Sequence, residues 1–166
     1  EQPCADLEDV IRLREVTDVP VAVDEIIRPS AEPQKLNLQG RFDYAIVKPI
    51  TLGGAHATVR LANAIGVPVV VSGSLDTAVG LSTCLAAAAA LPELPFASGL
   101  GTGALFERDL ADPTVLPHHG RIAVRRYAPD LDALLAATDA VGEERADGWR
   151  CRLRAAYAVY ARSVAH

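Results

Sequence analysis

Four short apolar runs recur along the chain, and each ends on a polar residue. Val19, Val21, Ala22 and Val23 precede Asp24; Tyr44, Ala45, Ile46 and Val47 precede Lys48. Val67, Val69, Val70 and Val71 precede Ser72, and Pro95, Phe96 and Ala97 precede Ser98. With Glu1 at the start, these polar positions stand 23, 24, 24 and 26 residues apart. Apolar runs of this length, rich in β-branched residues, read as parallel strands buried on both faces. The intervals between them hold one helix and two loops each. A β-α unit repeating at that period points to a (β/α) barrel or an open α/β sheet.

The intervening patterns predict the rest. Leu7, Val10, Ile11 and Leu13 mark a helix over residues 4–17, ended by Asp18 and Pro20 ahead of a strand over 19–23. The polar stretch 28–39, with Pro29 and Pro33, predicts a short helix and a loop. A strand over 44–47 is followed by the turn Thr51-Leu52-Gly53-Gly54, a helix to about residue 64, and Gly66 as its stop. A strand over 67–71 leads through Ser72-Gly73-Ser74 to a helix reaching about residue 91, with Asp76 or Ser74 as its cap. A fourth strand over 95–97 opens the glycine-rich stretch 98–103. Asp112-Pro113 and residues 116–120 read as loop, 121–127 as a weak edge strand, and 130–137 and 143–164 as helices. The last of these carries Trp149, Leu153, Tyr157 and Tyr160 near one face.

Size limits what this pattern can build. The 166 residues, half of them hydrophobic, suffice for one core. A complete eight-unit barrel typically needs about 250 residues. The expected architecture is therefore α/β: the C-terminal part of a (β/α) barrel over residues 1–112, with residues 113–166 packing on the barrel or on a neighbouring domain. The chain reads as the second half of something larger, without the first strands.

Charge and cysteine content narrow the function. The net charge of −5 and the lack of a basic block argue against nucleic acid as a partner. The apolar stretch 77–91 is short for a membrane span, and Pro92 follows it, so no membrane is implied. Cys4, Cys84 and Cys151 are odd in number and far apart, as expected of reduced thiols in a cytoplasmic protein. Oligomeric state is not legible.

The strand ends carry the candidate chemistry. In a barrel the active site is built at the carboxyl ends of the strands, where Glu1, Asp24, Lys48, Ser72 and Ser98 fall. The chain uses 14 arginines and only two lysines, Lys35 and Lys48. Arginine does not release its proton, whereas lysine does when its surroundings demand it. Lys48, after Ala45-Ile46-Val47, is thus a functional candidate, or else an inward lysine paired with a carboxylate for structure. The alternating glycines 99, 101 and 103 are a weak phosphate signal, undercut by the early Glu107 and Asp109. His118 and His119 read as a solvated loop pair rather than metal ligands.

Glu1-Gln2-Pro3, Val23-Asp24-Glu25, Val47-Lys48-Pro49, Leu52-Gly53-Gly54 and Ser72-Gly73-Ser74-Leu75-Asp76-Thr77 occur in the order and spacing of a known family. The chain resembles the C-terminal half of the enolase superfamily barrel in its muconate-lactonizing subgroup, most nearly the o-succinylbenzoate synthase family. The resemblance implies a lyase that dehydrates a cyclohexadiene carboxylate in menaquinone biosynthesis through an enediolate, with Mg²⁺, or Mn²⁺ in its place, as cofactor and a small carboxylate as substrate. It makes Glu1 and Asp24 two of three metal ligands and Lys48 the catalytic lysine on the opposite side of the substrate, either base or electrostatic stabiliser. Glu25 would orient a ligand or ease the burial of the charged lysine. Ser72, Gly73 and Ser74 would present hydroxyls and backbone amides to the substrate's distal carboxylate. The family's third metal acid, its Lys-x-Lys motif and its N-terminal capping domain precede the Glu1 position, so the segment alone is expected to be inactive. Racemization of N-acylamino acids, cycloisomerization, and a non-catalytic half-barrel are the alternatives.

Overall fold

A computed structural model of the chain describes residues 1–28, 36, 38–111 and 114–163. It divides into two compact units, Glu1–Ala128 and Pro129–His166. The Asp112-Pro113 turn and most of the expected 28–39 helix and loop lie outside the described residues.

In the first unit, α1 (Leu7–Glu15) leads to β1 (Ala22–Val23), β2 (Tyr44–Val47), α2 (Pro49–Leu52), α3 (Ala55–Ala64), β3 (Val69–Val71) and α4 (Ala78–Ala90). The strands form one parallel sheet in the order β1-β2-β3. Two further segments extend it. The Gln2 amide donates to the Ala22 carbonyl at 2.8 Å outside β1, and Ser72 bridges in parallel to Gly99 outside β3. Spatial order thus follows chain order across five positions, without the reversal of a doubly wound sheet. This is the strand order of part of a (β/α) barrel, the first of the two sheet types to which the spacing points.

Alternation along the strands separates two faces. Val21, Val23, Ala45, Val47, Val69 and Val71 point into the main core, together with Val10, Leu61, Ile65, Leu81, Cys84 and Leu85 from the covering helices. Ala22, Tyr44, Ile46 and Val70 alternate with them on the other face. The strand-end polar residues belong to that second face, so the core packs behind the site rather than through it.

Several elements are shorter than their patterns predict. β1 covers only the end of the expected 19–23 run, and β3 only the end of 67–71, because Pro20 and Pro68 cannot donate to a ladder. The fourth strand is reduced to the Gly99 bridge, and the expected edge strand 121–127 to a bridge between His118 and Arg121. The expected cap of α4 is also different. Neither Ser74 nor Asp76 caps it; the Ala78 amide donates to both carboxylate oxygens of Asp109, at 2.9 and 3.1 Å. A carboxylate brought from 31 residues away offsets the positive end of the helix dipole.

The second unit is a pair of helices, α5 (Leu131–Val141) and α6 (Glu143–Ser163). The Asp130 carboxylate caps α5 through the Ala133 amide at 2.9 Å, and Gly142, at φ 80°, makes the turn between the helices. Neither helix buries a residue among those described, and the aromatic stripe of α6 is exposed.

Asp43 ties the edge of the first unit together. Its carboxylate accepts from Arg14 of α1 at 2.8 and 3.3 Å and from the Val21 amide at 2.8 Å. The Arg14 hydrogen bond, then that of Val21, hold the Asp43 carboxyl below its ordinary range against the opposing effect of burial. A depressed native pKa contributes stability that is present above the unfolded value, near 3.9, and lost as pH falls through the native value. In the full-length protein, Asp43→Ala leaves the buried Val21 amide without its acceptor and is expected to cost about 1–2 kcal/mol at pH 7 by urea unfolding. The difference from wild type should shrink as pH falls below about 4. A difference that is unchanged across that range would remove the ion pair from the account of the fold.

Candidate active site

Asp24 ends β1 and is 2% exposed. A carboxylate so buried is costly unless charge and hydrogen bonds compensate it. Both its oxygens are engaged by cations. Lys48 Nζ donates to Oδ2, and an Arg28 guanidinium nitrogen donates to Oδ1 at 2.8 Å. Burial pushes the Asp24 carboxyl up, but the hydrogen bonds and charges of Lys48 and Arg28 outweigh it and hold the carboxyl below its ordinary range. Asp24 is therefore an anion inside the protein wall.

Local structure explains how these groups meet. The short 3-10 turn Glu25–Ile27 places Arg28 four residues beyond Asp24 on the same side, within reach of both Asp24 and Glu25. Glu25 accepts from the same Arg28 nitrogen at 2.8 Å, so it acts on Asp24 through Arg28. Gln2 supports the turn from the other side: its side-chain oxygen accepts from the Asp24 amide at 2.9 Å and from the Ile26 amide at 3.4 Å. That link lays the residue next to Glu1 alongside the Asp24 strand end. Lys48 leaves β2 just before α2, whose first residue is Pro49.

The strand ends are staggered rather than level. Ala22 pairs with Tyr44, an offset of 22, whereas Ala45 pairs with Val69, an offset of 24. Continued by one residue, the register sets Lys48 level with Ser72 but Asp24 level with Ile46. Barrel sheets require such a stagger. It lets the lysine reach back along its own strand and touch the Asp24 carboxylate directly, which the burial of Asp24 favours.

The turn after β3 departs from expectation in one respect. Its backbone amides are already used: Ser72 N donates to the Val47 carbonyl at 2.9 Å, Gly73 N to the Gly99 carbonyl at 3.0 Å, and Ser74 N to Asp76 Oδ2 at 2.7 Å. What remains for a ligand is the hydroxyls. Ser72 Oγ has only long contacts, at 3.4 Å to the Gly73 carbonyl and 3.5 Å to the Gly99 carbonyl, beyond the ordinary range for a hydroxyl donor. Its capacity to bond elsewhere is intact. Gly99 is needed for this arrangement, since a Cβ there would lie 2.8 Å from Ser72 Oγ.

Two residues of this site escape reading from sequence alone. Arg28 does carry a signal, because it follows Asp24 at the i,i+4 spacing of an ion pair on a helical turn. Gln2 carries none beyond its place beside Glu1. Glu1 is exposed at the chain's first residue. Among the described residues, no three His, Cys, Asp or Glu side chains cluster closely enough to hold a metal ion. No helix among the described residues is long and apolar enough to cross a membrane.

Comparison with known proteins bears on the fold and the family. The family model described as enolase C-terminal domain-like matches residues 1–132. The o-succinylbenzoate synthase of Mycobacterium ulcerans is 44% identical over 160 residues, 95% of this chain and 47% of that protein. That of Mycobacterium tuberculosis strain H37Rv is 46% identical over 159 residues, 96% of this chain and 48% of that protein. The chain thus spans about half the length of the curated relatives it matches. Among solved structures, a probable mandelate racemase from Alicyclobacillus acidocaldarius is 32% identical at a TM-score of 0.69, covering 81% of this chain and 38% of that one. The muconate lactonizing enzyme of Pseudomonas fluorescens, at 22% identity, a TM-score of 0.72 and coverage of 81% and 39%, shares the fold. A parallel sheet in barrel order, a match over most of the chain and the identity to these relatives lead to one conclusion: the chain belongs to the enolase C-terminal domain-like family.

Proposed function

We propose that this chain is the C-terminal half of an o-succinylbenzoate synthase, a cytoplasmic carbon–oxygen lyase of menaquinone biosynthesis. It would dehydrate 2-succinyl-6-hydroxy-2,4-cyclohexadiene-1-carboxylate to 2-succinylbenzoate. The observation that carries the proposal is the buried, ionised Asp24 in direct contact with Lys48 at adjoining strand ends. The 44–46% identity to proteins of that name supports the choice of reaction.

The chemistry asks for this kind of site. The proton on the ring carbon bearing the carboxylate leaves, and its bonding electrons pass into that carboxylate to give an enediolate. The electrons then return, the C6 hydroxyl departs with its bonding pair, and the ring becomes aromatic. One proton and one hydroxide are lost, which together make water. The difficult species is the enediolate, whose doubled negative charge requires fixed positive charge in a place with little water. Lys48, 16% exposed, supplies an ammonium that can turn from Asp24 to the enediolate oxygens without crossing the sheet. Arg28 stays on Asp24 and keeps that carboxylate from being left uncompensated.

The donor set fits a hard divalent cation in part. Asp24 would offer the Oδ2 oxygen that Lys48 releases, and the exposed Glu1, next to the Gln2 that bonds the Asp24 amide, would add a second carboxylate; Mg²⁺ or Mn²⁺ prefers oxygen donors of this kind. Bound there, the cation would neutralise the substrate carboxylate. The family's remaining acid and its Lys-x-Lys motif belong to strands before the position matched by Glu1, and the proton would pass to a lysine of that motif. Lys48 is then an electrostatic residue. The hydroxyls of Ser72, level with Lys48, and of Ser74 would meet the distal succinyl carboxylate, as far as Gly73 and its neighbours leave them free. The exposed aromatic stripe of α6 is the surface we assign to packing on the barrel or the capping domain.

The proposal is tested by following aromatisation of the cyclohexadiene carboxylate in the ultraviolet, with the full-length protein and Mg²⁺. Turnover should stop on chelation and return with Mg²⁺ or Mn²⁺. Asp24→Asn keeps the shape of the side chain and should lower turnover by at least about 10²–10³-fold. Wild-type turnover by this variant, or turnover that survives chelation, would contradict the assignment. Racemization of an N-acylamino acid without aromatisation would favour that alternative.

Lys48 allows its two roles to be separated. Lys48→Ala should lose about 10²–10³-fold, while Lys48→Arg keeps the positive charge and should retain measurably more. Equal loss in both variants, accompanied by loss of substrate proton exchange in D₂O, would make Lys48 the base instead.

A further inference from the structure

We propose that Asp76 is a positioning residue that sets the Ser72-Gly73-Ser74 turn for the substrate, an inference that rests on the reading above that this turn meets the distal carboxylate. On its ladder side the turn is held by the sheet, through Ser72 N to Val47 and Gly73 N to Gly99. Beyond Gly73 the ladder ends. The next amide, Ser74 N, is held instead by Asp76 Oδ2 at 2.7 Å. Between them Leu75 takes φ 62°, a left-handed conformation that a bulky residue adopts only when its surroundings impose it. The Asp76 hydrogen bond closes that turn.

The surroundings of Asp76 are built for this task. Its Oδ2 also lies 3.8 Å from the buried Cys84 thiol of α4. Burial, and then the charge of Asp76, push that thiol up to about 12, so it remains a protonated donor to the carboxylate. Two glycines make the space. A Cβ on Gly73 would lie 3.3 Å from Asp76 Oδ2, and one on Gly80 would lie 2.8 Å from Asp76 Cβ. Gly80 stands in the first turn of α4, where glycine weakens a helix relative to alanine. The room it leaves for Asp76 accounts for it.

Other roles fit Asp76 less well. It does not cap α4, because Asp109 does. Direct contact with an anionic substrate would be repulsive for a carboxylate. Its oxygen is turned instead to the Ser74 amide in the backbone of the turn, while Ser74 itself is exposed and the Ser72 hydroxyl has only long contacts.

The test uses the full-length protein with three substitutions: Asp76→Ala, which removes the acceptor; Asp76→Asn, which keeps an oxygen acceptor; and Gly80→Ala, which displaces the side chain while favouring the helix. Asp76→Ala and Gly80→Ala should raise KM and the Kd of 2-succinylbenzoate about tenfold, the effect of roughly one weakened hydrogen bond to a charged group. In both, kcat and the Kd of benzoate, which has no distal carboxylate, should stay near wild type. Asp76→Asn should restore both constants to within about twofold, since the acceptor is retained. Hydrogen exchange at the Ser74 amide should quicken in the first two variants and remain slow in Asp76→Asn. Unchanged KM and unchanged exchange in Gly80→Ala would overturn the proposal, even if Asp76→Ala fails to fold. Loss confined to kcat would overturn it too. Should the wild-type protein not turn over the cyclohexadiene substrate, the proposed reaction fails, and Ser74 exchange still decides whether Asp76 sets the turn.

Discussion

A buried carboxylate must be matched by charge, and Asp24 is the point where this chain meets that demand. Its two oxygens take one cation each, from Arg28 on the turn that follows it and from Lys48 on the next strand. The first contact is local and holds the 3-10 turn. The second crosses the sheet and fixes where the lysine's charge lies. Removing either partner leaves a charge in a place with little water, a far larger penalty than the pair's net contribution to stability. An arrangement that costs stability to maintain is more readily explained by chemistry than by folding.

The sheet makes that arrangement affordable. Its covered face carries the valines and Ala45 of the core, and the helices bury them. The opposite face is then free to carry polar strand ends. Stagger between β1 and β2 lowers Asp24 by two residues relative to Lys48, so the carboxylate sits deeper and the ammonium above it. A ligand entering from the strand ends would meet Lys48 and Ser72 at one level, with Asp24 beneath. Depth is thus set by register, and register by the packing of the covered face.

Much of this is legible in the sequence. Strand existence followed from the β-branched runs, and the helices of the first unit followed from their apolar spacing, because both depend on local pattern. Strand limits did not, since Pro20 and Pro68 shorten the ladders in ways the apolar runs hide. Lys48 stood out because the chain otherwise uses arginine. Pairing of Lys48 with a carboxylate was one of the two readings open to it, but Asp24 as the partner was hidden: an equal chain interval of 24 residues says nothing about stagger, and of the two strand pairs only β2–β3 keeps that offset. Asp109 as the cap of α4 was beyond reach for a similar reason, being brought in by tertiary folding from 31 residues away. The amides of residues 72–74 looked free because sequence does not reveal which backbone groups are already paired. Arg28 stands at helical spacing from Asp24, but it also opens a polar, proline-containing stretch, and that composition masks the short turn that brings the two together.

The most direct test of the Asp24–Lys48 site is a crystal structure of the full-length protein with Mg²⁺ and 2-succinylbenzoate. The result predicted is a cation coordinated by Asp24, with the Lys48 ammonium turned to the aromatic carboxylate and Arg28 still on Asp24. A cation bound elsewhere, with Lys48 still closed on Asp24 and the product outside the strand ends, would show that the pair is structural and that the reaction has been placed at the wrong site.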